Sequence, residues 1–162
     1  MPVLSVLIAA CNVEDTIAET LDSVLCQTLP DIEILCVDDG STDATPQLLA
    51  RFAAQDARVR VLRHEQNLGR LAARCTAVEA AAGQYALFLD GDDRLLPNAC
   101  EVLYREMQRQ QVDVLQFGVL VFADDGYRLT DEELDGYRRM FRPCSRPLAG
   151  GPQALLRACF LN

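Results

Sequence analysis

The 162-residue sequence contains no lysine and no tryptophan, and it has one histidine, His64. All 15 basic residues are therefore arginines. Without an ammonium group, the chain cannot use a mechanism that depends on a P-loop lysine, a Schiff-base lysine or the strand lysine of a protein kinase. The same absence argues against a response-regulator receiver, which needs a lysine at the end of a late strand.

Positive charge is also scarce, because 24 acidic residues outnumber the 15 basic ones and give a formal net charge of −9. A protein that covers nucleic acid needs a basic face to replace the counterions of the phosphates. We therefore expect no nucleic-acid partner.

Long hydrophobic runs and paired-cysteine motifs are missing as well. The first apolar run, residues 3–10, has only about eight residues and no basic residue before it, which predicts a strand rather than a signal peptide or a membrane span. The seven cysteines have no C-x-x-C spacing. This argues against a zinc site or a disulfide framework and favours free thiols in a reducing compartment. We therefore expect a cytoplasmic protein.

Apolar and amphipathic segments alternate along the chain, which predicts one α/β domain with a parallel sheet. Strands are predicted over residues 3–10, 32–37, 59–63, 85–89 and 112–122. Helices are predicted over residues 14–27 with Asn12 as N-cap, from Pro46 onward, from after Gly69 to about 82 with Gly83 as C-cap, over 97–110 and over 150–161. Residues 124–142 are expected to form a charged loop.

Polar side chains follow three of these predicted strands. Cys11-Asn12 follow the first, Asp38-Asp39 the second, and Asp90-Gly91-Asp92-Asp93 the fourth. The carboxyl ends of parallel strands share one edge of the sheet, where ligands bind. Carboxylates gathered there repel one another unless a cation lies between them, and a hard divalent cation would also bridge a diphosphate. Asp43 is expected to be a turn or cap residue instead.

These residues form part of an ordered set of motifs that resembles the family-2 glycosyltransferases over residues 2–122. The motifs are Val3-Leu4-Ser5-Val6-Leu7-Ile8, Asn12-Val13-Glu14, Leu25-Cys26-Gln27-Thr28, Val37-Asp38-Asp39-Gly40-Ser41-Thr42-Asp43, Asn67-Leu68-Gly69, Ala73-Arg74 and Phe88-Leu89-Asp90-Gly91-Asp92-Asp93. The resemblance implies the GT-A fold, a Rossmann-like α/β architecture with an open, mostly parallel sheet flanked by helices. It also implies a nucleotide-sugar-binding core over residues 1–123 and the start of an acceptor-side region over 124–162.

By the same resemblance, the expected activity is a metal-dependent, inverting sugar transfer from a UDP-sugar to a polysaccharide or lipid-linked glycan. Asp39 would accept the N3 hydrogen of a uracil-like base, and Asp90 would touch the ribose or a metal-bound water. Asp92, the last residue of a D-x-D motif, would bind Mn²⁺ or Mg²⁺ between the phosphates. The other implied donor-binding residues are Ala10, Asn12, Gly69, Arg74 and Gly91. Peripheral association of the full-length enzyme with the inner face of the membrane is also implied.

Two positions depart from the family pattern. Cys11 stands where the family usually has a tyrosine that stacks on the base, and such stacking contributes about 1–3 kcal/mol per base. Cys75 follows Ala73-Arg74 where the family usually has an asparagine. We expect these changes to weaken donor binding or to alter base selectivity.

No catalytic base is assigned from the sequence. Carboxylates after the D-x-D motif are expected to lie in a solvated loop: Asp124, Asp125, Asp131, Glu132, Glu133 and Asp135. We therefore expect a piece of a longer enzyme with little transfer activity of its own. The alternative is a non-catalytic module that binds a nucleotide sugar or a protein, while a dinucleotide-binding oxidoreductase is disfavoured because G-x-G-x-x-G is absent after the first strand. His64 is expected at the surface or at a strand end, and Phe117 and Phe122 in the core.

Overall fold

The computed structural model describes residues 1–117, which contain four strands and four helices in strict alternation. Met1–Arg105 form one compact unit, and a second unit begins at Glu106. The strands are β1 (Leu4–Ala10), β2 (Ile32–Asp39), β3 (Val59–His64) and β4 (Tyr85–Asp90). The helices are α1 (Ile17–Leu25), α2 (Thr45–Gln55), α3 (Arg70–Ala80) and α4 (Ala99–Gln110).

The strands form one parallel sheet in the order β3-β2-β1-β4. The chain moves outward from β1 to β3 and then returns past β1 to place β4 on its other side. The order therefore reverses between β1 and β4, which is where ligands bind in open α/β sheets. This architecture confirms the predicted α/β fold with a parallel sheet flanked by helices.

Both faces of the sheet are covered, which explains why the central strands are almost continuously apolar. All eight residues of β2 are buried. One face, including Val6 and Ile8, packs with the apolar sides of α1 and α2. The other face, including Leu7 and Leu35, packs against Ala73 and Ala77 of α3, whose small side chains let the helix approach the sheet closely.

A buried carboxylate ties the amino-terminal edge of the sheet together. Glu33 accepts hydrogen bonds from the Ser5 hydroxyl at 2.6 Å and from the amides of Ala82 and Gly83 at 2.6 and 3.0 Å, and Arg60 lies 3.3 Å away. Burial raises the pKa of Glu33, but these hydrogen bonds and the Arg60 charge outweigh it, so the pKa lies below its ordinary value of 4.5. Gly83 is therefore part of this junction rather than the C-cap of α3, which is Ala81.

Three other local predictions are wrong. Asn12 is not the N-cap of α1: the helix begins at Ile17 after Thr16, and Asn12 adopts a left-handed φ of 52° that asparagine tolerates. Residues 112–117 form no strand, and Phe117 is 40% exposed rather than part of the core. The rest of the predicted fifth strand, Phe122, the loop over 124–142 and the helix over 150–161 lie outside the described residues. Within residues 1–117, no helix is long and apolar enough to cross a membrane.

Candidate functional site

A cavity of about 490 Å³ lies at the carboxyl ends of β1, β2 and β4, where the strand order reverses. Carboxylates dominate its polar lining, and one arginine side chain joins them. The lining residues are Ala9, Ala10, Cys11, Val13, Asp39, Asn67, Arg70, Ala73, Asp90, Gly91, Asp92 and Asp93.

The loop after β1 is hydrogen-bonded to the turn after β2, which fixes one wall of the cavity. The Asn12 side chain accepts from the Thr42 amide at 2.9 Å, and the Asn12 amide donates to the Ser41 hydroxyl at 3.0 Å. The Val13 amide donates to the Thr45 hydroxyl at 2.9 Å. Asn12 therefore shapes this wall but does not line the cavity.

Asp43 serves the same wall as a turn residue, as predicted. Its carboxylate accepts from the Thr45 amide at 2.9 Å and from the Glu14 amide at 3.1 Å. Burial raises the pKa of Asp43, but the hydrogen bonds from Thr45 and Glu14 lower it by more, so the pKa of Asp43 lies below its ordinary value.

Asp39 is the most strongly organised carboxylate of the cavity. One oxygen, Oδ1, accepts from the Leu68 amide at 2.9 Å and from His64 Nδ1 at 2.7 Å, and Oδ2 accepts from the Gly69 amide at 2.8 Å. Burial raises the pKa of Asp39, but the hydrogen bonds from Leu68, His64 and Gly69 hold it below the ordinary value, so the group is ionised at neutral pH. A carboxylate offers about four acceptor positions. One position therefore remains, on Oδ2, for a hydrogen-bond donor in the cavity.

The preceding aspartate has a different role. Asp38 is fully buried, accepts from the Ser41 amide at 3.0 Å and lies 3.1 Å from Arg63 Nε. It does not line the cavity. Gly40 then turns the chain with a φ of 70°, and a Cβ there would lie only 2.5 Å from the amide nitrogen of Asn67. The turn after β2 thus packs directly against the loop that holds Asp39.

Asp90 is paired with arginines of α3. Arg74 Nη2 donates to Asp90 Oδ1 at 2.6 Å, and Arg70 Nη1 lies 3.5 Å from Asp90 Oδ2. The Arg74 guanidinium also lies 5.9 Å from the ring centroid of Phe88. Arg74 does not line the cavity, so it reaches the site through Asp90, whereas Arg70 is a lining residue and its side chain is 70% exposed.

The segment after β4 is anchored by its backbone, which leaves its carboxylates toward the cavity. The Gly91 carbonyl accepts from the hydroxyls of Thr16 and Thr20 at 3.0 and 2.9 Å. Asp92 and Asp93 both line the cavity. Burial, and then the charges of Asp92 and Asp90, raise the pKa of Asp93.

The carboxylates of the cavity suit a divalent cation that also binds the phosphates of a ligand. Within residues 1–117, no group of three or more acidic, histidine or cysteine side chains is placed to hold a metal alone. Mg²⁺ is typically held by one or two carboxylates together with substrate phosphates and water. Asp92 and Asp93 supply that number. Burial is the main cause of the raised pKa of Asp93, and the charges of Asp92 and Asp90 add to it. A cation bound beside these carboxylates would offset the repulsion between their charges.

Five of the eight residues predicted for the site line the cavity: Ala10, Asp39, Asp90, Gly91 and Asp92. The other three, Asn12, Gly69 and Arg74, do not line the cavity. Gly69 and Arg74 donate hydrogen bonds to the lining residues Asp39 and Asp90, and Asn12 accepts from the Thr42 amide in the turn after β2. The sequence prediction missed Asn67 and Arg70 as lining residues, although Asn67 belongs to the Asn67-Leu68-Gly69 motif and Arg70 directly follows it. Cys11 lies in the cavity, where its sulfur accepts from Asn67 Nδ2 at 3.1 Å.

Comparisons of sequence point to one family. The family model described as "Glycosyl transferase family 2" matches residues 5–155 of the chain. The uncharacterized glycosyltransferase EpsJ of Bacillus subtilis (strain 168) is 36% identical over 143 residues, which cover 88% of this chain and 41% of EpsJ. The poly(ribitol-phosphate) beta-glucosyltransferase of Bacillus spizizenii is 38% identical over 114 residues, which cover 68% of this chain and 18% of that enzyme. The chain thus spans less than half the length of these relatives.

A comparison of structures agrees with the sequence. The crystal structure of residues 1–349 of S. aureus TarS in complex with UDP matches with a TM-score of 0.71 and 28% identity. The match covers 80% of this chain and 38% of that one.

Proposed function

The chain belongs to glycosyl transferase family 2, and we propose that it is the donor-binding part of an enzyme that transfers a sugar from a UDP-sugar to a polysaccharide or lipid-linked glycan. The single observation that carries the proposal is Asp39, an ionised carboxylate with one acceptor position left at the edge of the cavity. The relative named for poly(ribitol-phosphate) and the TarS complex with UDP support the acceptor and donor classes.

Asp39 would read the base. Uracil presents an N3 hydrogen, which an ionised carboxylate accepts, whereas cytosine presents a lone pair at N3, which a carboxylate repels. Because Cys11 replaces an aromatic residue, little stacking supplements this contact, and the hydrogen bond to Asp39 therefore carries a larger share of base recognition.

The diphosphate would lie near Asp92, Asp93 and Arg70, which all line the cavity. Asp92, with Asp93, would hold the Mn²⁺ or Mg²⁺, which as a Lewis acid stabilises the charge of the leaving nucleoside diphosphate. Arg70 supplies a further positive charge to the phosphates without requiring a metal. Asp90, fixed by Arg74, keeps its carboxylate at the rim beside the expected ribose.

We propose inversion at the anomeric carbon, which requires a carboxylate to deprotonate the acceptor hydroxyl. No residue among 1–117 is assigned this role. The acidic residues between 124 and 135 that were considered for it lie outside the described residues. We also propose a cytoplasmic location, which the five free cysteines among the described residues support.

Titration calorimetry with UDP, with and without MnCl₂, tests the proposal. We expect wild-type chain to bind UDP more tightly with Mn²⁺, and we expect Asp92→Asn to abolish that gain. Asp22→Asn is the matched control, because Asp22 is exposed on α1 and does not line the cavity. A wild-type chain that binds no UDP with Mn²⁺, or an Asp92→Asn variant that keeps the full gain, contradicts the proposal.

A further inference from the structure

A partly buried series of hydrogen bonds leads from α3 to the Asp39 carboxylate. His64 Nδ1 lies 2.7 Å from Asp39 Oδ1, and His64 Nε2 lies 3.0 Å from the hydroxyl of Thr76. The His64 side chain is 12% exposed, and His64 does not line the cavity. His64 is the last residue of β3, so the expectation of a surface or strand-end residue is confirmed by its place at the strand end.

The partners of the ring fix which nitrogen carries the proton. An ionised carboxylate only accepts, so Nδ1 must donate to Asp39. In the neutral imidazole Nε2 then has a free lone pair, which accepts the hydroxyl hydrogen of Thr76. The Thr76 hydroxyl therefore donates to His64 Nε2, and His64 Nδ1 donates to Asp39.

The register of β3 against β2 places the His64 ring beside Asp39. Asp39 and His64 are neighbouring partners at the ends of β2 and β3, so their side chains share one face of the sheet. The other two donors to Asp39 are backbone amides of the loop over residues 66–69. Among the three, His64 is the donor supplied by a side chain, and it binds Oδ1, which leaves the free acceptor position on Oδ2.

We propose that His64 is a positioning residue for base selectivity: it locks the Asp39 carboxylate so that its free acceptor position faces the cavity and selects bases with an N3 hydrogen. This inference rests on the proposed function, because it requires that Asp39 reads a uracil base. A locked carboxylate cannot rotate away from the lone pair of cytosine, so the lock penalises CDP as well as favouring UDP.

The tautomer can be observed directly because His64 is the only histidine. With ¹⁵N-labelled chain, long-range ¹H–¹⁵N correlation spectra report one pair of ring nitrogens. We expect a protonated Nδ1 and a bare Nε2 in the neutral ring. A neutral ring protonated at Nε2 would contradict this series of hydrogen bonds and overturn the proposal.

Affinities for UDP and CDP in the presence of MnCl₂ test the function of the lock. We expect His64→Leu, which has no donor, to lower the ratio of UDP to CDP affinity about tenfold, as expected for one well-placed hydrogen bond. His64→Asn keeps an N–H near the position of Nδ1 and should restore most of the ratio. Thr28→Val is the matched control for Thr76→Val. The Thr28 hydroxyl donates to Glu101 in an exposed hydrogen bond that does not involve His64, so we expect only Thr76→Val to lower the ratio of UDP to CDP affinity.

The outcomes separate the two proposals. If His64→Leu and His64→Asn weaken UDP and CDP binding equally, the residue is merely structural and the inference fails while the proposed function stands. An unchanged ratio in a folded His64→Leu variant has the same meaning. If His64→Leu does not fold, a Thr76→Val ratio equal to that of Thr28→Val overturns the inference. If wild-type chain binds neither nucleotide, the proposed function fails and the inference fails with it.

Discussion

Replacing Gly40 by alanine tests the contact between the turn after β2 and the loop that holds Asp39. Gly40 has a φ of 70°, and a left-handed conformation costs a residue with a Cβ about 1–2 kcal/mol. The added Cβ would also lie 2.5 Å from the Asn67 nitrogen and 2.8 Å from Gln66 Cα. Both are backbone atoms, so the loop itself must move, and such overpacking costs about 1–3 kcal/mol.

The combined loss for Gly40→Ala is therefore about 2–5 kcal/mol of unfolding free energy, measured by urea denaturation. Because the displaced loop carries the amides of Leu68 and Gly69, we also expect a large loss of UDP affinity in the fraction that is folded.

Gly83→Ala is the matched control. A Cβ at Gly83 would lie 2.5 Å from Ser5 Oγ and 2.7 Å from Ser5 N, at the amino-terminal edge of the sheet away from the cavity. We expect about 1–3 kcal/mol of destabilisation and unchanged UDP affinity. If Gly83→Ala lowers UDP affinity as much as Gly40→Ala, or if Gly40→Ala costs less than about 1 kcal/mol, the reasoning is refuted.

Three further predictions concern other groups. Glu33→Gln should lower the free energy of unfolding by about 1–3 kcal/mol at pH 7. Because the pKa of Glu33 in the folded chain lies below the ordinary 4.5, this loss relative to wild type should be complete above pH 4.5 and should shrink as the pH falls through the folded pKa. Urea denaturation curves in which the loss instead grows toward acid pH would contradict the prediction. Burial raises the pKa of the Cys36 thiol to about 12 and of the Cys100 thiol to about 11. Both thiols should therefore stay unlabelled by maleimide at pH 8 until urea unfolds the chain, which mass spectrometry of the labelled peptides will show. In calorimetry, Arg70→Gln should weaken the binding of UDP but not of uridine. Arg105 is exposed on α4, so the control variant Arg105→Gln should bind both as the wild type does. Equal losses of affinity for UDP and uridine in Arg70→Gln would exclude a contact between Arg70 and the phosphates.

The sheet and its acidic edge could be predicted because they depend on local sequence. The apolar runs that end at Ala10, Asp39 and Asp90 predict parallel strands, and parallel strands bring their polar ends together. The structure extends β2 and β4 by the aspartates that end them, but it does not move the site.

Contacts between distant residues could not be predicted in this way. Asn12, which has a left-handed φ, accepts a hydrogen bond from the amide of Thr42, thirty positions along the chain. The role of His64 depends on the register of β3 against β2, and no pattern in the sequence sets that register residue by residue. Arg74 fits a surface helix position in the sequence, and only the packing of α3 shows that it binds Asp90.

A crystal structure of the chain with UDP and MnCl₂ tests the central claim most directly. The account predicts uracil N3 within hydrogen-bond distance of Asp39 Oδ2 and the diphosphate and Mn²⁺ beside Asp92. A nucleotide bound elsewhere, or in this cavity with its base away from Asp39, would contradict it.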